Sequence, residues 1–361
     1  MKKAFVLVIG LTVIGTVWIG VRAQAPSPSP LKSQKAATPR PAPECCGYPF
    51  PRELDAEIAD GDVHRALYED QHVMLLEVAN PPLLDVHVHG HPFISVFAHD
   101  SDTGGKNPNA PAKAPGGSGP MDPKSPYNDM GSGEGTAPQG MKWPTCTTAA
   151  PQAPHRPFNM NVNPNHFFRI EFLRVEGEDF QTHWKEWYPD MAAPVKPVKD
   201  LVPGPALGPK FSEQWPYPIA YDSINAAPNN YKLLYEDGKL RLVEVTIRPG
   251  ETTPMAGHPY PAVLAYNSIS GNPADLTDKN LEPSSPLNGQ RGGANGHAPN
   301  LYNLKAPTCG TTAPQAPHAV HNGGKVPVHY YRIEYKRIDG DGLTQNWKKW
   351  YPWMQYMQYM R

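Results

Sequence analysis

Three histidines alternate along Asp85-Val86-His87-Val88-His89-Gly90-His91. Residues at i, i+2 and i+4 of a strand share a face, so the spacing predicts three imidazoles pointing the same way. Neutral imidazole nitrogen is a ligand for Zn, Cu, Fe or Ni. A site of histidines alone leaves such an ion its full charge as a Lewis acid. The plainer alternative is the polar lining of a strand that holds no ion. Other chemistries find no support. There is no Ser/His/Asp order, no phosphate-binding glycine loop and no zinc-protease helix, and Cys45, Cys46, Cys146 and Cys309 lack CxxC spacing.

The elements that must position these groups occur twice. Leu67-Tyr68-Glu69-Asp70 returns as Leu234-Tyr235-Glu236-Asp237, and His91-Pro92 returns as His258-Pro259, at a constant offset of 167 residues. Further along, Pro144-Thr145-Cys146 returns as Pro307-Thr308-Cys309, and Trp187-Tyr188-Pro189 as Trp350-Tyr351-Pro352, at an offset of 163. The net difference of four falls in the loop between the two blocks. Self-similarity of this kind marks a duplicated structural unit. Copy one covers 44–190 and copy two 211–361, joined by a Pro/Ala/Val-rich linker at 191–210.

Strands are expected at 73–78 and 240–247, where apolar and polar residues alternate, and at 167–175 and 328–338, rich in aromatic and β-branched residues. Segments 101–140 and 271–299 are dominated by Gly, Pro, Asn, Asp and Ser and are expected to be long surface loops. Forty-five prolines among 361 residues exclude a helical bundle. The fold class is therefore all-β.

In copy two, Leu240 to Ile247 is followed by Arg248-Pro249-Gly250-Glu251, Pro254 and His258-Pro259, and later by Pro314-Gln315-Ala316-Pro317-His318 with Asn322. Copy one has His89-Gly90-His91, then Pro151, His155 and Asn159. This order resembles the two motifs of the cupin superfamily, small jelly-roll barrels, and two copies imply a bicupin. The resemblance implies metal ligands at His89, His91 and His155, with Asp85 or His87 as further donors. It also implies a divalent transition metal (Fe, Mn, Zn, Cu or Ni) as cofactor. The family's glutamate after the His pair is absent, because Ile94 to Phe97 occupy its neighbourhood. If the chain is an enzyme, the family suggests metal-dependent oxygenation or isomerisation. The rival is a non-catalytic module for ligand binding or structure.

Copy two has Ala256 in place of the first histidine and keeps His258 and His318, so it reads as a degenerate site whose histidines are hydrogen-bonding core groups. Cys146 and Cys309 hold equivalent positions. One reading pairs Cys45 and Cys46 with one repeat cysteine each, and the other leaves four buried thiols. Trp184, Trp187 and Tyr188, and again Trp347, Trp350 and Tyr351, have the spacing of one face of a short helix, expected to pack on its own barrel. A sugar-stacking platform is the functional alternative. Asp100-Ser101-Asp102 before Gly104 opens like a calcium loop but lacks the other ligands.

Met1-Lys2-Lys3, an apolar run to Val21 and Ala23-Gln24-Ala25 read as a signal peptide over 1–25, or as an uncleaved anchor. A Pro/Ser-rich stalk over 26–43 follows. The expected location is periplasmic or secreted, with no other membrane segment. A net charge of −1 gives no electrostatic footprint for nucleic acid. The partner expected is a small molecule.

Overall fold

The computed structural model describes residues 47–115, 121–128, 134–135, 137–138, 140–192, 209–268, 276–288 and 307–357. The signal-like segment, the stalk, Cys45 and Cys46, and most of the linker lie outside them. Repeat one contains α1 (Ala56–Ala59), β1 (His64–Glu69), β2 (Val73–Asn80), β3 (His89–His91), β4 (Ile94–His99), β5 (Glu134–Gly135), β6 (Thr145–Ala149), β7 (Gln152–His155), β8 (Asn165–Phe172) and α2 (Phe180–Trp187). Repeat two contains α3 (Ser223–Ala226), β9 (Tyr231–Glu236), β10 (Leu240–Ile247), β11 (Ala256–His258), β12 (Ala262–Tyr266), β13 (Leu276–Asn280), β14 (Thr308–Thr312), β15 (Gln315–Asn322), β16 (Val328–Tyr335), α4 (Leu343–Trp350) and α5 (Met354–Met357).

Each repeat is an antiparallel two-sheet sandwich of jelly-roll type. The large sheet of repeat one has the order β1-β2-β8-β4-β6-β5, and that of repeat two the order β14-β12-β16-β10-β9. These are the same arrangement with one extra edge strand in the first. The small sheets are β3-β7 and β11-β15-β13. The fold is all-β and cupin-like, as the motif order implies.

The strand β2 is buried along its whole length rather than on alternate residues. The reason is that both faces of the large sheet are covered. Val73, Leu75, Val96, Ala98, Phe168 and Ile170 meet Leu240, Leu242, Val263, Ala265, Tyr331 and Ile333 in one core cluster, so each side chain faces the equivalents of its own set. The two repeats therefore share a core, and the described residues belong to one compact unit. At its edge Cys146 and Cys309 are bonded to each other, Cα to Cα 6.3 Å. This replaces the expected clips to Cys45 and Cys46.

The opposite face of β2 carries Met74, Leu76 and Val78, packed with Leu343, Trp347, Tyr351, Met354 and Met357. The aromatic helix that follows each repeat thus covers the other one. Conversely, Phe180, Trp184 and Tyr188 of repeat one pack with Val326 and His329 of repeat two. Sequence spacing identifies the apolar face of such a helix but says nothing about which sheet it meets, so the expectation of packing on its own barrel fails here.

The loops between motifs are not wholly irregular. A strand, β13, lies within 271–299 and pairs with β15. The turns around Ser125-Pro126-Tyr127-Asn128 and Ser285-Pro286-Leu287-Asn288 also recur, each closed by a backbone bond from the Asn amide to the Ser carbonyl. Their offset is 160, so the net difference of four comes from two length changes of opposite sign.

Candidate metal centre

The small sheet of repeat one places its histidines by register. Pairing of β3 with β7 sets His89 opposite His155, and His91 opposite Gln152. Gly90 between them is required by close approach. A Cβ there would lie 2.1 Å from the Tyr48 hydroxyl, which donates to the Gln152 carbonyl at 2.9 Å. In repeat two, Trp215 stands in place of Tyr48 and closes on Gly257 in the same way, its Nε1 donating to the Gln315 carbonyl.

A fourth imidazole, not foreseen from the sequence, joins them. His64 opens β1, pairs with Val78 of β2 and turns inward. One ligand nitrogen each of His64, His89 and His91 lies within 4.8 Å of the others, and all three residues are buried. The ring centroids of His89 and His155 are 4.8 Å apart, and those of His91 and His155 5.7 Å. All four line one cavity of about 320 Å³ whose walls include Val63, Val78, Val86, Phe97 and Phe167.

Hydrogen bonds orient these rings. His89 Nδ1 meets the His87 carbonyl at 2.9 Å, and His155 Nδ1 meets the Ala153 carbonyl at 2.8 Å. A carbonyl only accepts, so in both rings Nδ1 carries a proton, and in the neutral form Nε2 is left with a lone pair. His91 Nδ1 lies 3.1 Å from a Glu171 carboxylate oxygen, which fixes that ring similarly. A ligating histidine whose other nitrogen donates to a carbonyl or carboxylate is the usual outer arrangement of a metal site. The His64 ring leans toward the Asp60 backbone, which opposes the effect of burial on its pKa. Burial, the neighbouring imidazoles and Arg169 hold His64 and His91 well below the ordinary histidine pKa. Burial lowers His155 as well, against its backbone hydrogen bond. Lowered pKa values favour the neutral form of His64, His91 and His155, the form that metal ligation requires.

The other two proposed donors do not converge. The side chain of His87 is 62% exposed and faces Asp60 at 3.2 Å, because 86–88 leave the strand geometry that alternation assumes. Asp85 is engaged in a bidentate pair with Arg156.

Arg169 forms the polar end of the cavity. It is buried, ion-pairs with Glu171 at 2.9 Å, donates Nη1 to Gln152 Oε1 at 2.7 Å and lies over the Phe97 ring. Its Nη2 has no partner among the described residues. Burial depresses its pKa to about 10, against the pull of Glu171, and that still leaves it cationic at neutral pH.

Repeat two keeps two of the four histidines, His258 and His318. Tyr231 stands where His64 does and Ala256 where His89 does, and both pack in an apolar cluster with Val243 and Val245. His258 donates to Glu334, and His318 to the Ala316 carbonyl. Arg332 also leaves Nη2 without a partner among the described residues, so that open donor is a feature of both strands. In repeat one it accompanies a histidine-lined cavity.

Asp100, His166 and Asp339 form a second convergence of potential ligands. Lys239 already serves as their cation. Its Nζ pairs with Asp100 and lies 2.7 Å from Asp339. Asp100 thus belongs to a buried ion pair between the repeats and to no calcium loop.

No family model matches the sequence, and no curated protein does. Solved structures similar to it include a cupin domain from Bordetella pertussis Tohama I, 17% identical with a TM-score of 0.21, covering 30% of this chain and 92% of that one. AerE from Microcystis aeruginosa is 9% identical with a TM-score of 0.20, covering 76% and 98%. A deletion mutant of Bacillus subtilis oxalate decarboxylase is 12% identical with a TM-score of 0.21, covering 87% and 88%. None of these superposes well enough to bear on the chemistry of this chain.

Proposed function

We propose that this cupin-like chain binds one divalent transition ion in repeat one, on His64, His89, His91 and His155, and uses it to hold a small oxygen-bearing molecule. The observation that carries this is the convergence of four imidazoles in one cavity, beside a second repeat in which two of them have become Tyr231 and Ala256. The donor set fits the ion: buried ring nitrogens, with Nδ1 of His89, His91 and His155 each held by an acceptor so that Nε2 can face the cavity.

Such an ion supplies Lewis acidity, undiminished because no carboxylate sits among its ligands. The chain's own residues do the rest. Val63, Val78, Val86 and Phe167 give the cavity an apolar wall, which lowers the local polarity around each polar contact beside it. Arg169 offers Nη2 to a ligand oxygen, while Glu171 and Gln152 hold its guanidinium in place. A carboxylate, enolate or phenolate would satisfy both ends. The ion's identity, and whether the bound molecule is transformed, belong to the same proposal. Export is part of it too: the Cys146–Cys309 disulfide suits an oxidising compartment, and no helix among the described residues is long and apolar enough to cross a membrane.

Metal analysis of the purified full chain tests this. The expected result is about one transition ion per chain, lost in His64→Ala and in His89→Ala but kept in His258→Ala. Metal-free protein whose stability neither of the first two changes alters would favour the non-catalytic structural module instead.

A further inference from the structure

A second cavity, of about 520 Å³, opens between the repeats and is unconnected with the histidine cluster. The turn from β1 to β2 and the end of α2 form one side of it, and β9 and β10 form the other. Because the repeats face each other symmetrically, the same cleft is built twice. On the opposite side of the molecule it is filled by the chain itself. Trp353 and α5 lie in it, with the Arg65 guanidinium 4.4 Å over the Trp353 ring and Met354 and Met357 fully buried.

The two clefts differ where it matters. Asp190 stands in place of Trp353, and Lys232 in place of Arg65. The apolar floor of Val63 and Ala79 is replaced by Asn230 and Thr246, with Arg248 beside them. Asn230 Nδ2 is tied to the Thr246 carbonyl at 3.0 Å, which holds this polar floor rigid. Trp187 and Tyr188 supply aromatic edges, while Tyr188 itself stacks on His72.

These features select a ligand class. An apolar ligand would strip water from the polar floor and return no hydrogen bonds. A strongly charged ligand would meet a lining in which Asp70, Asp190 and Glu244 nearly balance Lys232 and Arg248. What remains is a neutral molecule whose groups both donate and accept, with a carbon face for the aromatic edge. Hydroxyls have that dual character. The volume falls in the range of small-molecule sites, about 300–1,000 Å³. We propose that this cleft is a binding site for a neutral oligosaccharide, one sugar ring occupying the position that the Trp353 ring takes in its filled twin.

The test is saturation-transfer NMR on the full chain with cellotetraose, maltotetraose, xylotetraose and chitotetraose as probes, followed by titration of any that respond. The expected result is saturable binding of at least one. Its dissociation constant should rise at least tenfold in Asn229→Trp, which places a ring across the mouth of the cleft, and in Arg248→Ala. Both variants should keep the wild-type melting temperature and metal content. Binding should be unchanged in His89→Ala, which keeps this result separate from that for the metal centre. The proposal is overturned if none of the four binds saturably, or if binding survives Asn229→Trp undiminished.

Discussion

His329 keeps a proton that burial alone would remove. Glu176 lies 3.4 Å from its Nδ1 and Glu244 3.0 Å from its Nε2, and together they outweigh the desolvation and hold its pKa at about 9. The sign of the consequence is set by linkage. A group whose pKa is raised on folding contributes stability that is complete below its unfolded value, about 6.5, and is lost as pH rises through about 9. The melting temperature should therefore fall between pH 7 and pH 10, and His329→Gln, already less stable at neutral pH, should show a flatter profile. A wild-type curve as flat as that of the variant would refute this. The histidines of the metal centre behave in the opposite way. The pKa values of His64, His91 and His155 are depressed, so acid favours the unfolded chain and competes with the ion, and metal should be released as pH falls below the ordinary histidine range.

At the scale of elements, the helices that follow repeat two form the outer wall of the site in repeat one. Val63, Val78, Val86 and Phe167 line the metal cavity on one side and pack against Trp347, Met354 and Met357 on the other. Removing the Trp347 side chain should cost roughly 3–5 kcal/mol, as for other buried tryptophans. It should also weaken metal retention, although the residue lies far from every ligand in sequence. Trp184→Ala, in the helix that covers repeat two, should destabilise the fold and leave metal affinity nearly unchanged. Equal metal loss in both variants would argue against a wall specific to repeat one.

This also explains what the sequence revealed and what it withheld. The constant offset identified the strands and paired His91 with His258 and His155 with His318, because those matches are local. His64 escaped, since its part depends on a β1–β2 register that no local pattern states. Asking what stands opposite each histidine would have found it: His64 faces Tyr231, the same kind of loss as His89 against Ala256. The exchange of aromatic helices was hidden for a different reason. A helix face of Trp184, Trp187 and Tyr188 looks the same whichever sheet it covers.

For the whole molecule, the core that joins the repeats is as buried as either sheet, so neither half has a complete interior. Residues 44–190 expressed alone would expose Val73, Leu75, Phe168 and Ile170 and would lack the cover of α4 and α5. That fragment should be insoluble or molten, whereas the full chain unfolds in one transition, as calorimetry can decide. Cys146→Ser with Cys309→Ser should lower stability by about 2–5 kcal/mol, the range found for native disulfides, without changing metal content.

The bridge also bears on symmetry. Its two cysteines are 163 residues apart, which is the repeat offset itself, so the bond joins a position to its own counterpart. Only a two-fold relation brings like to like in that way, and it is the geometry of a symmetric homodimer. The two repeats of this one chain are thus related as the subunits of a symmetric dimer are, with the bridge at their dyad. A protease cut engineered into the linker should leave both halves together on a non-reducing gel and separate them on a reducing one.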